Sequence, residues 1–250
     1  MMVDIEPAIE LRQALRTAAD PTKAAALQRY FREPIASLGV PNAKAEAIAA
    51  EAVARYGMSP GQRLALAEEL IATAEYHEEL ILAFALVRKV VKRYPGDDLL
   101  DTFERWLRVG VSNWAQCDDL SLKVIYEFLL GHPELIPRVG GWTKSDAPWV
   151  RRAGNVALVK FVRRRIGSGT YHLPIEIVLE NADRLLDDPD VYVQKSIGWL
   201  LKVAAAEHPD AVVGYLADRV ARMDRGTFRD ALERVDPHVR RSMMALRGNE

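Results

Sequence analysis

Three observations predict an all-α chain built from paired helices. Ala, Leu, Arg, Glu and Lys dominate throughout, while Val-, Ile- and Thr-rich runs alternating with period two are absent. Pro and Gly fall between periodic segments, at Pro41, Pro60-Gly61, Pro95-Gly96, Gly131-His132-Pro133, Gly140-Gly141, Gly167-Ser168-Gly169, Asp188-Pro189 and His208-Pro209. They cut the chain into about a dozen helices of ~10–20 residues, some with start signals such as Ser59-Pro60, Ser145-Asp146 and Asp210 after Pro209. Third, Asp146-Ala147-Pro148-Trp149-Val150-Arg151-Arg152-Ala153 and Asp188-Pro189-Asp190-Val191-Tyr192-Val193-Gln194-Lys195 share a design. In each, an acidic, Pro-containing turn leads to an aromatic, a Val and a basic residue opening a helix. Their separation of about forty residues suits degenerate HEAT-like pairs. The expectation is a curved α-solenoid with a concave basic face, spanning 1–250 as a single domain.

The helix expected from about Asn113 to Leu130 has an apolar stripe at Cys117, Val124 and Phe128, with Ser121 among them. Trp114 and Asp118 are four apart and lie one turn above the other on the flank of that stripe. Asp119 is expected to point nearly opposite it, toward solvent. On phase alone, Asp118 serves either as a cap for a neighbouring turn or as a partly buried carboxylate beside an aromatic ring.

The next helix is expected from Ser145 to Arg165, with Val150, Ala153, Ala157 and Phe161 as its stripe. Arg152 and Arg163 fall on the far side, and Trp149 and Lys160 on one flank. Such a face is either a solvated exterior or a surface that tracks a phosphate backbone, which the planar fork of Arg suits. Around Trp199, the stripe is Val193, Ile197, Leu200, Leu201 and Ala204. At about 100° per residue Trp199 points roughly opposite, in company with Lys195, Lys202 and Tyr192. A Trp in that position looks like a surface for a flat or charged ligand.

Composition narrows the function classes. The 250 residues are 49% apolar and 28% charged, enough for a sizeable core. A lone Cys117 excludes an internal disulfide and a multi-cysteine zinc site, and His77, His132, His172, His208 and His238 are too scattered for a ligand pair at helical spacing. No metal or cofactor is therefore expected. No apolar stretch reaches the ~18 residues of a membrane span, and the acidic start, Met1 to Glu6, lacks the order of a signal peptide. A cytoplasmic protein with no membrane contact is expected. The formal charge of −1 hides a polarised distribution. Between Arg138 and Gly167 stand Arg138, Lys144, Arg151, Arg152, Lys160, Arg163, Arg164 and Arg165 against Asp146 alone, whereas Glu68 to Glu79 is acidic. A basic middle is compatible with a polyanion on one face.

Four motifs in order then acquire a common meaning: Trp114-Ala115-Gln116-Cys117-Asp118, His132-Pro133-Glu134-Leu135, Trp149-Val150-Arg151-Arg152-Ala153 and Gln194-Lys195-Ser196-Ile197-Gly198-Trp199. At these intervals the chain resembles the AlkD-type family of HEAT-like DNA glycosylases, which remove N3- and N7-alkylated purines. The resemblance runs from Lys23 through Tyr30 and Leu38-Gly39-Val40 to the helix after His208-Pro209. It implies that Asp118 is the catalytic carboxylate, that Trp114 and Trp199 face the lesion, and that Arg152 lies near the scissile nucleotide. With the basic and aromatic helix faces described above, the expected DNA contacts are Tyr30, Lys144, Trp149, Arg151, Lys160, Arg163, Lys195 and Lys202. The family often has a second Trp beside the first; here Ala115 stands instead, which bears on the shape of the lesion cleft.

The implied activity is monofunctional hydrolysis of the N-glycosidic bond of cationic alkylpurines in duplex DNA. It would serve base excision repair or self-resistance to a DNA-alkylating agent, in a monomer associated with the nucleoid when bound to DNA. No lysine occupies the matched position of a lyase nucleophile, which argues against a bifunctional lyase, while Lys144 is near enough in sequence to keep that activity open. The alternative is a non-catalytic HEAT-repeat module for branched or distorted DNA or a protein partner. The residue types suit the enzyme: an alkylated purine carries positive charge and leaves readily, a fixed carboxylate stabilises the oxocarbenium-like sugar, and Trp faces attract the cation.

Overall fold

The computed structural model describes residues 5–248, the side chains of Ile5, Glu6, Gly96, Asp97 and Gly248 excepted. It is all-α apart from one small hairpin, and it divides between His132 and Pro133 into two compact units.

The first unit contains α1 (Ile5–Thr17), α2 (Pro21–Gln28), α3 (Asn42–Tyr56), α4 (Pro60–Ala72), α5 (His77–Arg88), α6 (Gly96–Val109), α7 (Trp114–Asp119) and α8 (Tyr126–Gly131). Ser59 and Gln62 close a capping box at the start of α4, as the Ser59-Pro60 signal leads one to expect. The central helix is α5, packed by both α3 and α4. Its run Leu80–Phe84 is apolar at every position and buried on all sides. Phe103 meets Trp106 at 5.5 Å and Phe128 edge-on at 5.4 Å, tying α6 to α8.

The start of α5 carries a carboxylate, Glu78, that is 1% exposed. A buried charge is tolerated only when its oxygens are satisfied. Glu78 accepts hydrogen bonds from Ser37 Oγ (2.6 Å) and from the backbone N–H groups of Leu38 (2.9 Å), Gly39 (2.8 Å) and Val40 (3.2 Å). That turn requires glycine. Gly39 has φ of +73°, and a Cβ there would lie 2.1 Å from the carbonyl oxygen of Asp20, the N-cap of α2.

The second unit contains α9 (Ile136–Gly140), α10 (Pro148–Val156), strands β1 (Arg163–Ile166) and β2 (Gly169–His172), α11 (Ile175–Arg184), α12 (Val191–Ala204), α13 (Pro209–Ala217), α14 (Arg225–Ala231) and α15 (Pro237–Gly248). Its centre is α12, which packs against α10, α11, α13 and α14. The stripe Val193, Ile197, Leu200, Leu201 and Ala204 is at most 1% exposed, as its phase requires. Asn181 Nδ2 donates to Asn155 Oδ1 (3.2 Å) and Asn155 Nδ2 to Ser196 Oγ (3.0 Å), so a buried polar chain links α11, α10 and α12.

Three local expectations are corrected. The helix expected over Ser145–Arg165 is short: α10 ends at Val156, a 3₁₀ turn covers Val159–Phe161, and Arg163 lies on β1. Gly167, with φ of +59°, begins a two-residue turn between the paired Ile166 and Gly169, and this hairpin geometry takes precedence over helix propensity. Along Trp114–Gly131 the helix is interrupted by a π-helical stretch, Leu120–Ile125, whose wider turn takes in an extra residue. Leu120, Val124, Ile125, Phe128 and Leu129 are all fully buried, so the helix has no broad solvent face and Asp119 is enclosed as well. Tyr192, expected beside Trp199 and opposite the stripe, is only 9% exposed.

Gly57 tests the turn argument, since it too is left-handed (φ +57°), but a Cβ there would meet nothing within 4 Å. Gly57→Ala is expected to cost about 1–2 kcal/mol, the left-handed penalty alone. Gly39→Ala adds a clash with backbone and should cost about 3 kcal/mol or more. Urea unfolding of the two variants measures the difference.

Candidate functional site

In the first unit the candidate residues gather at the start of α7. Asn113 caps the helix by accepting from Gln116 N–H (3.0 Å), and Gln116 Oε1 accepts from both the N–H (2.9 Å) and the hydroxyl (3.1 Å) of Ser112. The first turn is thereby fixed from both sides. Trp114, half-buried, stacks on Phe31 with centroids 5.4 Å apart and planes inclined by 22°. Its indole Nε1 donates to the carbonyl oxygen of Tyr30 at 3.4 Å, while the Tyr30 side chain is 73% exposed. Asp118, also half-buried, follows one helical turn after Trp114.

Asp119 does not point to solvent. Its side chain is 9% exposed and forms an ion pair with Lys123, whose Nζ also donates to Glu46 Oε1 at 2.7 Å; Arg88 lies 3.9 Å from the same Glu46. The enclosed flank of the π-helical stretch is the physical reason. Burial pushes the Asp119 carboxyl above its ordinary range, against the pull of the Lys123 ammonium. Asp119 is thus committed to an internal network.

In the second unit, the two related helix openings meet. Trp149 of α10 and Tyr192 of α12 lie 5.6 Å apart, and Lys195 Nζ is 5.7 Å from the Tyr192 ring centre. Arg151 forms a two-pronged pair with Asp188 (2.6 and 3.2 Å) and donates to the carbonyls of Ser145 (3.1 Å) and Asp146 (2.8 Å). It therefore holds one opening to the other. Arg152 is not on an outer face: it is 5% exposed and its Nη1 donates to the carbonyl oxygen of Tyr192. Packing of α10 on α12 encloses it.

Lys144, Lys160, Arg163 and Lys195 are exposed. Arg163 pairs with Glu207 at 3.6 Å, and Lys202 with Glu233 at 3.0 Å. Trp199 is half-buried on α12, one turn after Lys195. Phe31 and the Gln116 brace were missed by the sequence reading. The Asn113-to-Gln116 spacing signals the helix start, but nothing local to Phe31 announces a partner more than eighty residues away. Among the described residues, no group of three or more His, Cys, Asp or Glu side chains is placed to hold a metal ion, and no helix is long and apolar enough to cross a membrane.

A helical-pair protein with a braced Trp–Asp turn and a set of exposed cations is the class that fold and site define. The family model described as DNA alkylation repair enzyme matches residues 11–235. The chain belongs to that family, whose role is in the repair of alkylated DNA, with DNA as the substrate. Among solved structures, one described as a predicted DNA alkylation repair enzyme from Enterococcus faecalis is similar at a TM-score of 0.73 and 15% identity, covering 88% of this chain and 97% of that one. AlkD2 from Streptococcus mutans is similar at a TM-score of 0.57 and 21% identity, covering 86% of this chain and 99% of the other. At these identities the likeness concerns the fold. A search among curated proteins finds no significant match.

One buried base in the first unit sets a pH dependence. His77 is 5% exposed, and burial holds its imidazole below the ordinary value of 6.5, opposed by the nearby Glu78. Below 6.5 the unfolded chain takes up a proton before the folded one does, so His77 makes stability fall as pH drops through that window and level off below the folded pKa. The decline in Tm on acidification from neutral pH should be shallower in His77→Leu than in the parent protein, as thermal melts across that range would show.

Proposed function

We propose that the protein is a monofunctional DNA glycosylase that hydrolyses the N-glycosidic bond of cationic N3- or N7-alkylated purines in duplex DNA. The observation that carries the proposal is the braced turn of α7. Trp114 is held by Phe31 and the Tyr30 carbonyl, Asp118 follows one turn later, and the neighbouring Asp119 is occupied by Lys123. The electron pair of the breaking C1′–N bond goes to the base, which leaves uncharged because it was cationic. Asp118 stabilises the positive charge that builds on the sugar, and water adds to C1′ with loss of its proton to the carboxylate. Trp114 supplies an aromatic face for the cationic base and sugar, at about 0.5–2 kcal/mol, and Trp199 on the second unit is assigned to the DNA as a further aromatic face.

Exposed Tyr30, Lys144, Lys160, Arg163 and Lys195 are assigned to the DNA, with Trp149 flanking Lys195 through Tyr192. Lys202 joins them at the expense of its pair with Glu233. Arg151 and Arg152, both held by internal partners, contribute positive potential and fix the Trp149–Tyr192 wall. The protein acts as a monomer without a cofactor, on nucleoid DNA in the cytoplasm, either in base excision repair or in self-resistance to a DNA-alkylating agent; both use the same chemistry.

Single-turnover excision of N7-methylguanine from a duplex tests the assignment. Asp118→Asn should slow base release by about 10²-fold, the scale of losing one preorganised electrostatic group, while DNA binding persists or tightens. Asp119→Asn should lower Tm and leave excision nearly unchanged. Equal rates for Asp118→Asn and the parent would overturn the assignment.

Duplex affinity should fall steeply with salt, each phosphate contact contributing about 0.9 to the logarithmic slope. Charge reversal at Lys195 or Arg163 should flatten that slope by about one contact without altering the lesion preferred. A titration of undamaged and lesion-bearing duplexes at several salt concentrations gives both quantities.

A further inference from the structure

The loop between α2 and α3 holds more of the candidate site than any sequence motif assigns to it. Gln28, the last residue of α2, uses its whole side-chain amide on this loop. Its Nε2 donates to the carbonyls of Phe31 (3.3 Å) and Glu33 (3.0 Å), and its Oε1 accepts from the N–H of Ile35 (2.9 Å). Three bonds from one planar amide fix the backbone from Phe31 to Ile35. The ring of Phe31 is 8% exposed, lies edge-on to His77 at 6.3 Å, and stacks on Trp114. The carbonyl of the preceding residue, Tyr30, takes the indole N–H.

We infer that Phe31, locked by Gln28, is a positioning residue for Trp114. It covers one indole face and fixes the ring plane, so that the remaining exposed aromatic surface is presented one turn from Asp118 in a single orientation. The inference rests on the proposed glycosylase reading for its kinetic consequence but not for its geometry. A ring free to rotate about χ1 and χ2 would present its quadrupole to a cation only part of the time. A ring stacked on one side and hydrogen-bonded at its nitrogen is preorganised, and preorganised groups do not need to be ordered when the substrate arrives. The stack and the Tyr30 carbonyl act on different parts of the indole, so together they define both its plane and its rotation within that plane. A merely space-filling role would ask only for apolar volume at position 31, which Leu supplies; a positioning role asks for a flat ring, which Tyr supplies.

The test combines kinetics with a direct probe of Trp114. Single-turnover excision of N7-methylguanine is measured for Phe31→Leu, Phe31→Tyr and Gln28→Ala, each in the parent and in a Trp114→Ala background, with Tm recorded for every variant. Phe31→Leu should slow excision about three- to tenfold, the scale of one aromatic pair, whereas Phe31→Tyr should stay within about twofold of the parent. Gln28→Ala should fall in between. In the Trp114→Ala background the Phe31 and Gln28 substitutions should have no further effect, because the interaction acts through Trp114. Acrylamide quenching of intrinsic fluorescence should rise in Phe31→Leu, and that rise should vanish when Trp114 is replaced by Phe. If the parent protein releases no base, the glycosylase reading fails and the quenching comparison still decides the positioning role. Unchanged quenching in Phe31→Leu, or an equal kinetic loss with and without Trp114, would overturn the inference.

Discussion

A carboxylate that is 1% exposed survives in this chain because three backbone N–H groups and a hydroxyl converge on it. Glu78 is that group, and much of the first unit's functional geometry depends on it. It draws the segment Ser37–Val40 onto the start of α5, and Gly39 in turn sits directly against the N-cap of α2. With α2 placed, Gln28 fixes the loop that follows, and Phe31 and Tyr30 take hold of Trp114. The chain of dependence runs from a buried ion to an indole ring, each link a short contact between groups that sequence separates by up to 84 positions. Removing the charge would leave several buried donors unmatched, which costs more than the bonds themselves contribute.

The second unit uses neutral polar groups for the same purpose. Asn155, Asn181 and Ser196 join three helices, and Gln194 Nε2 donates to the carbonyls of Leu185, Leu186 and Asp188, closing the turn that leads into α12. Arg151 and Asp188 then align the openings of α10 and α12, which is why Trp149 and Tyr192 meet. The two stretches that looked alike in the sequence are thus neighbours in space. Their shared design reflects one packing problem solved twice: an aromatic wall with a cation beside it.

How much of this was legible depended on whether the deciding contact was local. The α12 stripe, the Ser59-Pro60 start of α4 and the start of α7 near Asn113 involve residues within a few turns, and periodicity or local start signals exposed them. The hairpin was hidden because Arg163, Arg164 and Arg165 are good helix formers, and the strand signals, Ile166, Thr170, Tyr171 and the Gly167 turn, are too few to form an alternating run. The π-helical stretch has an ordinary helical composition and leaves no mark on the sequence. Asp119 and Arg152 were misplaced for one reason: the groups that enclose them, Glu46 with Arg88 and the Tyr192 carbonyl, come from distant helices. Helical phase tells which side of a helix a residue takes, but not whether another helix covers that side.

Membership of the DNA alkylation repair enzyme family sets the general direction, repair of alkylated DNA, and the glycosylase activity proposed for the Trp114–Asp118 turn is the specific reading to be measured. The most direct measurement is product analysis after incubating the protein, without added metal, with a duplex that carries a single N7-methylguanine. Free N7-methylguanine with an intact strand bearing an abasic site is the result expected of a monofunctional glycosylase. Retention of the base in a duplex that the protein nevertheless binds would contradict the account and identify a non-catalytic DNA-binding module instead.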